Sequence, residues 1–276
     1  MDLGFHGDVV EYYHRYRHGY PEAVISRLAG LFGLDDRDVV VDLGCGTGQL
    51  TLALAGRVRA VLGVDPEPDM LRRARQAASD ARAGNVSWML GADTDLPVLR
   101  RLLGEESVAA VTIAQALHWM QAPELFRAAA PLIRPGGGVA VVTNGTPLWL
   151  QDTDWSRALR GFLTRWLGHE ASSPCGTDEQ SQQRYRRELA AAGYDVVGEA
   201  VDYEADLDLD QVIGSVLSAI PASRLPPAAQ RPEFARQLGQ ALGEADRFTA
   251  GADRFTAGAD RFTEQVHVAI VAGRLR

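Results

Sequence analysis

The residues with the clearest chemical content lie in two short stretches. The first, "VVVDLGCGTGQL", sets glycines at 44, 46 and 48 behind a carboxylate, Asp42, and ahead of a helical pattern. Glycines there let the backbone turn sharply and approach a ligand. A helix start that follows offers free N–H groups and a positive dipole end. A dinucleotide-binding loop needs G-x-G-x-x-G. Here the sixth position from Gly44 is Gln49, and the pattern is D-x-G-x-G-x-G. A carboxylate at Asp42 repels a pyrophosphate and attracts an ammonium group. About 20 residues on, "VLGVD" ends in Asp65, where an acid takes ribose hydroxyls. "GAD" then ends in Asp93, placed to accept from an adenine amino group. Taken singly, Asp65 reads as the N-cap of "DPEPDML", Asp93 as a cap for "TDLPVLRRLL", and Cys45 as a small residue in a tight loop. Together, three acids around one glycine loop suit a cationic nucleoside, and they point to S-adenosylmethionine as cofactor.

The second stretch is "QALHWMQ", Gln115 to Gln121, directly after the apolar run "VAAVTIA". A sulfonium methyl is already activated. Its transfer needs a nucleophile held in line and water kept out, and a base where the nucleophile is a hydroxyl or an amine. His118, with an ordinary pKa of about 6.5, is the candidate catalytic base. The competing reading has it packing beside Trp119 or bonding a backbone carbonyl. His118 and Trp119 are candidate substrate-pocket residues in either case. Trp149, Trp155 and Trp166 are further substrate candidates, or ordinary core. His6, His169 and His267 carry no signal, and no cluster of acids suggests a catalytic metal.

Elements that would position these groups are visible in the pattern of apolar residues. "VVVDL" (39–43), "AVLGV" (60–64), "VSWML" (86–90), "VAAVTI" (108–113) and "GVAVVT" (138–143) are nearly all apolar, as strands covered on both faces are. Helical stretches at 66–81 and 122–133 alternate with them, which predicts a doubly wound α/β domain. After Thr143 the rhythm changes. Residues 155–167, 208–220 and about 230–242 carry apolar helical stripes. The runs 196–207 and 264–273 read as two more strands, the second alternating as an antiparallel edge strand does. One domain over 1–276 is expected, with 144–180 and 206–245 as helical cap insertions for the substrate. The repeat "ADRFTAGADRFTAGADRFT" at 245–263 has a period too short for a solenoid. It reads as a duplicated loop, with a dimer contact as the sharper alternative.

A formal charge of −8 argues against nucleic acid, which needs a basic face. No apolar run is long enough for a membrane span, and the N-terminal stretch lacks a signal-peptide pattern, so a cytoplasmic monomer or homodimer is expected. Two cysteines, Cys45 and Cys175, suggest neither a disulfide framework nor a zinc site.

Over about residues 8–143 the sequence resembles the class I S-adenosylmethionine-dependent methyltransferases. "VVVDLGCGTGQL" is similar to the family's first motif, "VLGVDPEPDML" to its second, and "LIRPGGGVAVV" to the later Pro-Gly-Gly turn into the fifth strand. "YYHRYRHGYPEAV" together with "AQALHWM" resembles a narrower set of bacterial small-molecule enzymes, of the trans-aconitate methyltransferase kind. The resemblance implies a seven-stranded Rossmann-like sheet, mostly parallel, with the last strand antiparallel. It implies that Gly44, Gly46 and Gly48, with Cys45 among them, pack against the cofactor's methionine end and ribose. Asp42 would hold the ammonium, Asp65 the ribose, Met70 the adenine face, and Asp93 and Thr94 the adenine edge. Gln115 would lie beneath the sulfonium. Residues 1–36 would form a helical segment closing over the cofactor, with Tyr13 or Arg17 as the closing residue, Arg17 suiting a carboxylate. A surface helix with an aromatic face is the other reading of that segment. The implied activity is methyl transfer to a small molecule, more often to oxygen than to nitrogen or carbon, in secondary metabolism. A cyclisation or other non-methylating reaction on the same cofactor, or a non-catalytic binding module, is the alternative.

Overall fold

A computed structural model describes residues 3–171, 175–249 and 261–275, with backbone alone over 244–249. The sheet has seven strands: β1 (Val39–Leu43), β2 (Ala60–Asp65), β3 (Val86–Leu90), β4 (Val108–Ala114), β5 (Ile133–Asn144), β6 (Asp195–Asp208) and β7 (Arg261–Arg274). Their order is 3-2-1-4-5-7-6, and only β7 runs antiparallel to its neighbours. This is a Rossmann-like, mostly parallel sheet with its last strand antiparallel. The inner strands are apolar because helices cover both faces. On one face α2 (Glu22–Phe32) and α3 (Gln49–Ala55) bury Val24, Ile25, Leu28, Phe32, Leu50 and Leu54 against Val40, Val61, Ala110 and Val142. On the other, α5 (Leu96–Leu103), α6 (Ala122–Ala129) and α8 (Glu179–Ala191) pack Leu99, Phe126 and Leu189 onto Val41, Val111 and Val139. The remaining helix of this half, α4 (Pro68–Asp80), carries proline at its first turn, where the missing N–H costs nothing.

Two strands depart from expectation. β3 is not covered on both faces: it is the sheet edge, and Leu90 at its end is 58 % exposed. β7 is not an edge strand: it lies between β5 and β6, and β6 takes the edge. The alternation in "EQVHVAIVAG" reflects one face turned inward over its first half only; Ile270, Val271 and Ala272 are all buried.

Because β5 and β6 are parallel, both leave the sheet at the edge where the glycine loop sits. From that edge rise α7 (Asp154–Leu167), α9 (Leu209–Leu217) and α10 (Arg231–Thr249). They share a core of their own, in which Leu159, Phe162, Leu163, Val216, Phe234, Leu238 and Phe262 are buried. Asp208 caps α9 with a reciprocal capping box to Gln211. The backbone of α10 runs past the expected end into the heptapeptide repeat, and β7 begins within its last unit. The stretch between, 250–260, lies outside the described residues.

The N-terminal segment divides in two. α1 (Asp8–Tyr16) lies over the sheet edge, whereas α2 belongs to the sheet's covering layer and not to a cofactor lid. No described helix is long and apolar enough to cross a membrane.

Candidate active site

Leaving β1, the chain passes Gly44, Gly46 and Gly48, all at positive φ (68°, 56° and 89°). The loop is pinned to β2: the Gly44 and Cys45 N–H groups donate to the Val64 carbonyl at 2.8 and 3.1 Å, and the Gly46 N–H donates to Asp65 Oδ2 at 2.8 Å. A side chain at Gly44 would overlap the Ala116 methyl, and one at Gly48 would come within 2.8 Å of the Trp88 ring. Gly46 is the opposite case: its open side meets the Tyr13 ring at 3.6 Å. Two glycines therefore serve packing, and Gly46 is the one that faces out of the sheet edge. Cys45 is buried, and burial raises its thiol pKa well above the ordinary value, so it stays protonated and inert.

Both buried acids of the loop hold partners. Asp42, 1 % exposed, accepts from the Thr51 and Thr112 hydroxyls at 2.6 and 2.8 Å. Asp65 accepts from the Gly46 and Glu67 N–H groups at 2.8 and 2.9 Å. Burial pushes each up to about 6 despite these hydrogen bonds. Each carboxylate oxygen has room for a second donor. Two half-satisfied acids beneath an outward-facing glycine fit a ligand that brings positive charge and hydroxyls, as S-adenosylmethionine does. Asp93 is half-buried and accepts from the Gln121 N–H at 3.2 Å, tying the end of β3 to the start of α6. Thr94 is exposed, and Met70 is buried within α4.

Over this loop lies the segment from Leu3 to Tyr20. Its N–H groups reach the cofactor half: Leu3 donates to Glu67 Oε1 at 2.9 Å and Gly7 to Asp69 Oδ2 at 3.0 Å. Its other contacts reach the cap. Tyr16 donates to Asp210 at 2.7 Å, Arg17 Nε to Ser218 Oγ at 2.8 Å, and Asp8 pairs with Arg231. A side chain at Gly214 of α9 would overlap the Tyr16 ring, so that glycine is what lets α1 and α9 touch. The Arg17 guanidinium sits 5.5 Å from the Tyr13 ring centre, and the Phe5 ring meets Tyr13 and Trp119 edge-on. Tyr13 and Arg17 thus lie together above Gly46.

His118 and Trp119 form a short 3-10 turn after β4, their rings 5.0 Å apart. Trp119 is half exposed, and burial lowers the His118 pKa, which leaves the ring neutral at pH 7. Gln115, just before them, holds a positive φ of 55°, uncommon for a side-chain-bearing residue. Its amide N–H donates to the Asn144 carbonyl at 3.1 Å. The three cap tryptophans are not gathered beside His118. Trp155 packs on Phe262, and Trp166 on Phe162 and Phe234. Trp149 joins the same cluster from its rim. A groove of about 300 Å³ lined by Phe162, Trp166 and Gln237 runs between α7 and α10, apart from the glycine loop.

Several residues at this edge carry no signal in the sequence alone. Thr51 and Thr112 hold Asp42. Glu67, 7 % exposed, receives the Leu3 N–H. Glu264, 3 % exposed, sits on β7 with its Oε1 3.3 Å from His18 Nε2. Only Glu264 leaves a trace in the pattern, as a carboxylate in the inward register between Phe262 and Val266. No group of His, Cys, Asp and Glu among the described residues could hold a metal.

Residues 40–137, from β1 into β5, match the family model described as a methyltransferase domain. An uncharacterised methyltransferase of Mycobacterium tuberculosis is 37 % identical over 144 residues, 52 % of this chain and 53 % of that protein. A candidate S-adenosylmethionine-dependent methyltransferase of Saccharomyces cerevisiae is 29 % identical over 47 % of this chain and 43 % of its own. The chain thus spans about half the length of the curated relatives it matches. Among solved structures, a candidate type II methyltransferase from Anaeromyxobacter dehalogenans superposes with a TM-score of 0.61 at 22 % identity, covering 95 % of this chain and 98 % of that one. A protein from Bacillus subtilis gives 0.55 at 16 %, covering 93 % and 99 %. These likenesses establish the fold.

Proposed function

We propose that this protein transfers a methyl group from S-adenosylmethionine to a small organic acceptor. The observation that carries this reading is the pair of buried acids, Asp42 and Asp65, under the outward-facing Gly46 and the Tyr13–Arg17 cover. In this reading the acids receive the cofactor's ammonium and ribose hydroxyls, Arg17 its carboxylate, and Asp93 and Thr94 the adenine edge. When bound, the cofactor supplies an electrophilic methyl, and the chain's part is to hold the acceptor in line and exclude water. His118, neutral at pH 7, takes the acceptor's proton where one must leave. The methyltransferase-domain match over 40–137 supports the same class of chemistry.

The test is titration of the full chain with S-adenosylhomocysteine by calorimetry, then incubation with methyl-labelled cofactor and pools of small molecules. Release of S-adenosylhomocysteine with a labelled product is expected. Tight cofactor binding with no product from any pool overturns the transfer reading and favours a non-methylating use of the same site. For His118, H118Q is expected to lower kcat and abolish the acidic limb of the pH–rate profile. An unchanged profile assigns the ring to pocket shape alone.

A further inference from the structure

Where β5 ends and β7 begins, the sheet edge presents an unusual inventory of polar atoms. Glu264 is buried in the inward register of β7, and only one of its oxygens, Oε1, is near a ring nitrogen, His18 Nε2 at 3.3 Å. Its Oε2 has no hydrogen-bond partner among the described residues. Glu264 also lies close to Tyr203 on β6, whose phenol is raised first by burial and then by that carboxylate's charge. Asn144, at the end of β5, donates its amide N–H to the Gly19 and His18 carbonyls at 3.2 and 3.5 Å. Gln115 donates to the Asn144 carbonyl. With both amide nitrogens turned onto backbone carbonyls, the free ends are fixed as oxygens. Asn144 Oδ1 and Gln115 Oε1 are both buried and unpartnered among the described residues. The groups are contiguous. Gln115 touches Asn144, Asn144 touches His18, and His18 touches Glu264. Gly145 carries its backbone past Glu264, so that a side chain there would lie 4.0 Å from Oε1.

Three unpaired acceptors, one of them a buried carboxylate, are joined by these contacts. Such a set repels a carboxylate and leaves a neutral hydroxyl short of donors. A protonated amine brings several N–H donors and the missing positive charge together. Resting on the methyl-transfer reading above, we infer that the acceptor carries an ammonium group, recognised by Glu264 together with Asn144 and Gln115. The cofactor's own ammonium is a different group, received by the acids of the glycine loop. A carboxylate on the acceptor is disfavoured by the charge of Glu264.

The test uses three fragment sets of matched skeletons, such as benzylamine, benzyl alcohol and benzoate. Each is titrated by ligand-observed NMR into the full chain saturated with S-adenosylhomocysteine. Amines are expected to bind about tenfold more tightly than the matched alcohols and acids, and E264Q is expected to erase that preference while leaving S-adenosylhomocysteine affinity unchanged. Equal binding of the three sets, preference for acids or alcohols, or no binding by any set overturns the inference. So does loss of S-adenosylhomocysteine affinity in E264Q, which would assign Glu264 to the cofactor. The wild-type preference is read without any variant, so it decides the matter even where E264Q fails to fold. Failure of the methyl-transfer reading is seen separately, as failure to bind S-adenosylhomocysteine or as binding with no labelled product from any pool.

Discussion

Asp42 and Glu264 are both carboxylates buried at the same edge of one sheet, and they are provided for in different ways. Asp42 has a threonine hydroxyl on each oxygen, and its neighbour Asp65 has a backbone N–H on each. Glu264 has a histidine at one oxygen and nothing on the other among the described residues. An unmet buried acceptor costs about 1–3 kcal/mol. The β1–β3 half is therefore pre-organised before its ligand arrives, and the β5–β7 half is completed by its ligand. A site shared by many acceptor chemistries needs one constant half and one adjustable half. The separate apolar core of α7, α9 and α10 gives the adjustable half a support that can vary without disturbing the sheet.

The sharpest way to break the comparison is at Gly44. G44V combines a positive φ with overlap on the Ala116 methyl, for a cost of roughly 3 kcal/mol. Urea unfolding should show that loss, and S-adenosylhomocysteine binding should fall below detection. If the variant binds normally, the loop is not the pre-organised half.

Next in size is pH. Asp42 and Asp65 are raised from 3.8 to about 6, so the folded chain holds their protons more tightly than the unfolded chain does. Their ionisation therefore costs stability. The cost is absent below about pH 4 and fully present above about pH 6, roughly 3 kcal/mol for each group. Ligand-free stability should fall across that window as far as these acids decide it. S-adenosylhomocysteine affinity should move the other way, weakening below pH 6 by about tenfold per pH unit for each carboxylate that takes a proton. D65N should bind more weakly at pH 7 and flatten the dependence, as calorimetry between pH 5 and 8 would show.

A smaller effect is expected at Arg17. Removing a guanidinium that meets the cofactor's carboxylate costs about 1.4 kcal/mol, or tenfold in affinity. R17A should show that loss in S-adenosylhomocysteine titration with little change in melting temperature. S218A, which removes only the hydroxyl that steadies Arg17, should cost about twofold to threefold. Equal losses in the two variants would mean that Arg17 serves the cap and not the cofactor.

The pre-organised half is legible in the sequence because its parts are close together and each has a local signature. Glycines 44, 46 and 48, Asp42 and Asp65 fall within one strand–loop–strand passage, and the apolar runs around them place the edge. The completed half is assembled from His18, Gln115, Asn144 and Glu264, which the chain separates by long intervals. No spacing rule joins them, and two of them matter through the direction in which an amide is turned. The tryptophans stay open in the sequence for a related reason: helical spacing shows that Trp155 and Trp166 share a stripe, but not whether the stripe faces a ligand or another helix. β7 reads as an edge because alternation reports one face turned to solvent, and β7 alternates over only part of its length.

The placement of β7 also governs how the molecule is made. Among the described residues β6 has no sheet partner except β7, with which it pairs from Asp195 to Asp208, and β7 is also what joins it to β5. During synthesis β6 emerges well before β7 and must wait, edge unpaired, while the α9–α10 stretch is translated. Glu264 and Phe262 arrive with β7, so the acceptor side and part of the cap core come into being in one late, long-range closure. In pulse-labelled hydrogen exchange, amides of β6 and β7 should become protected together, and after those of β1, β2 and β4.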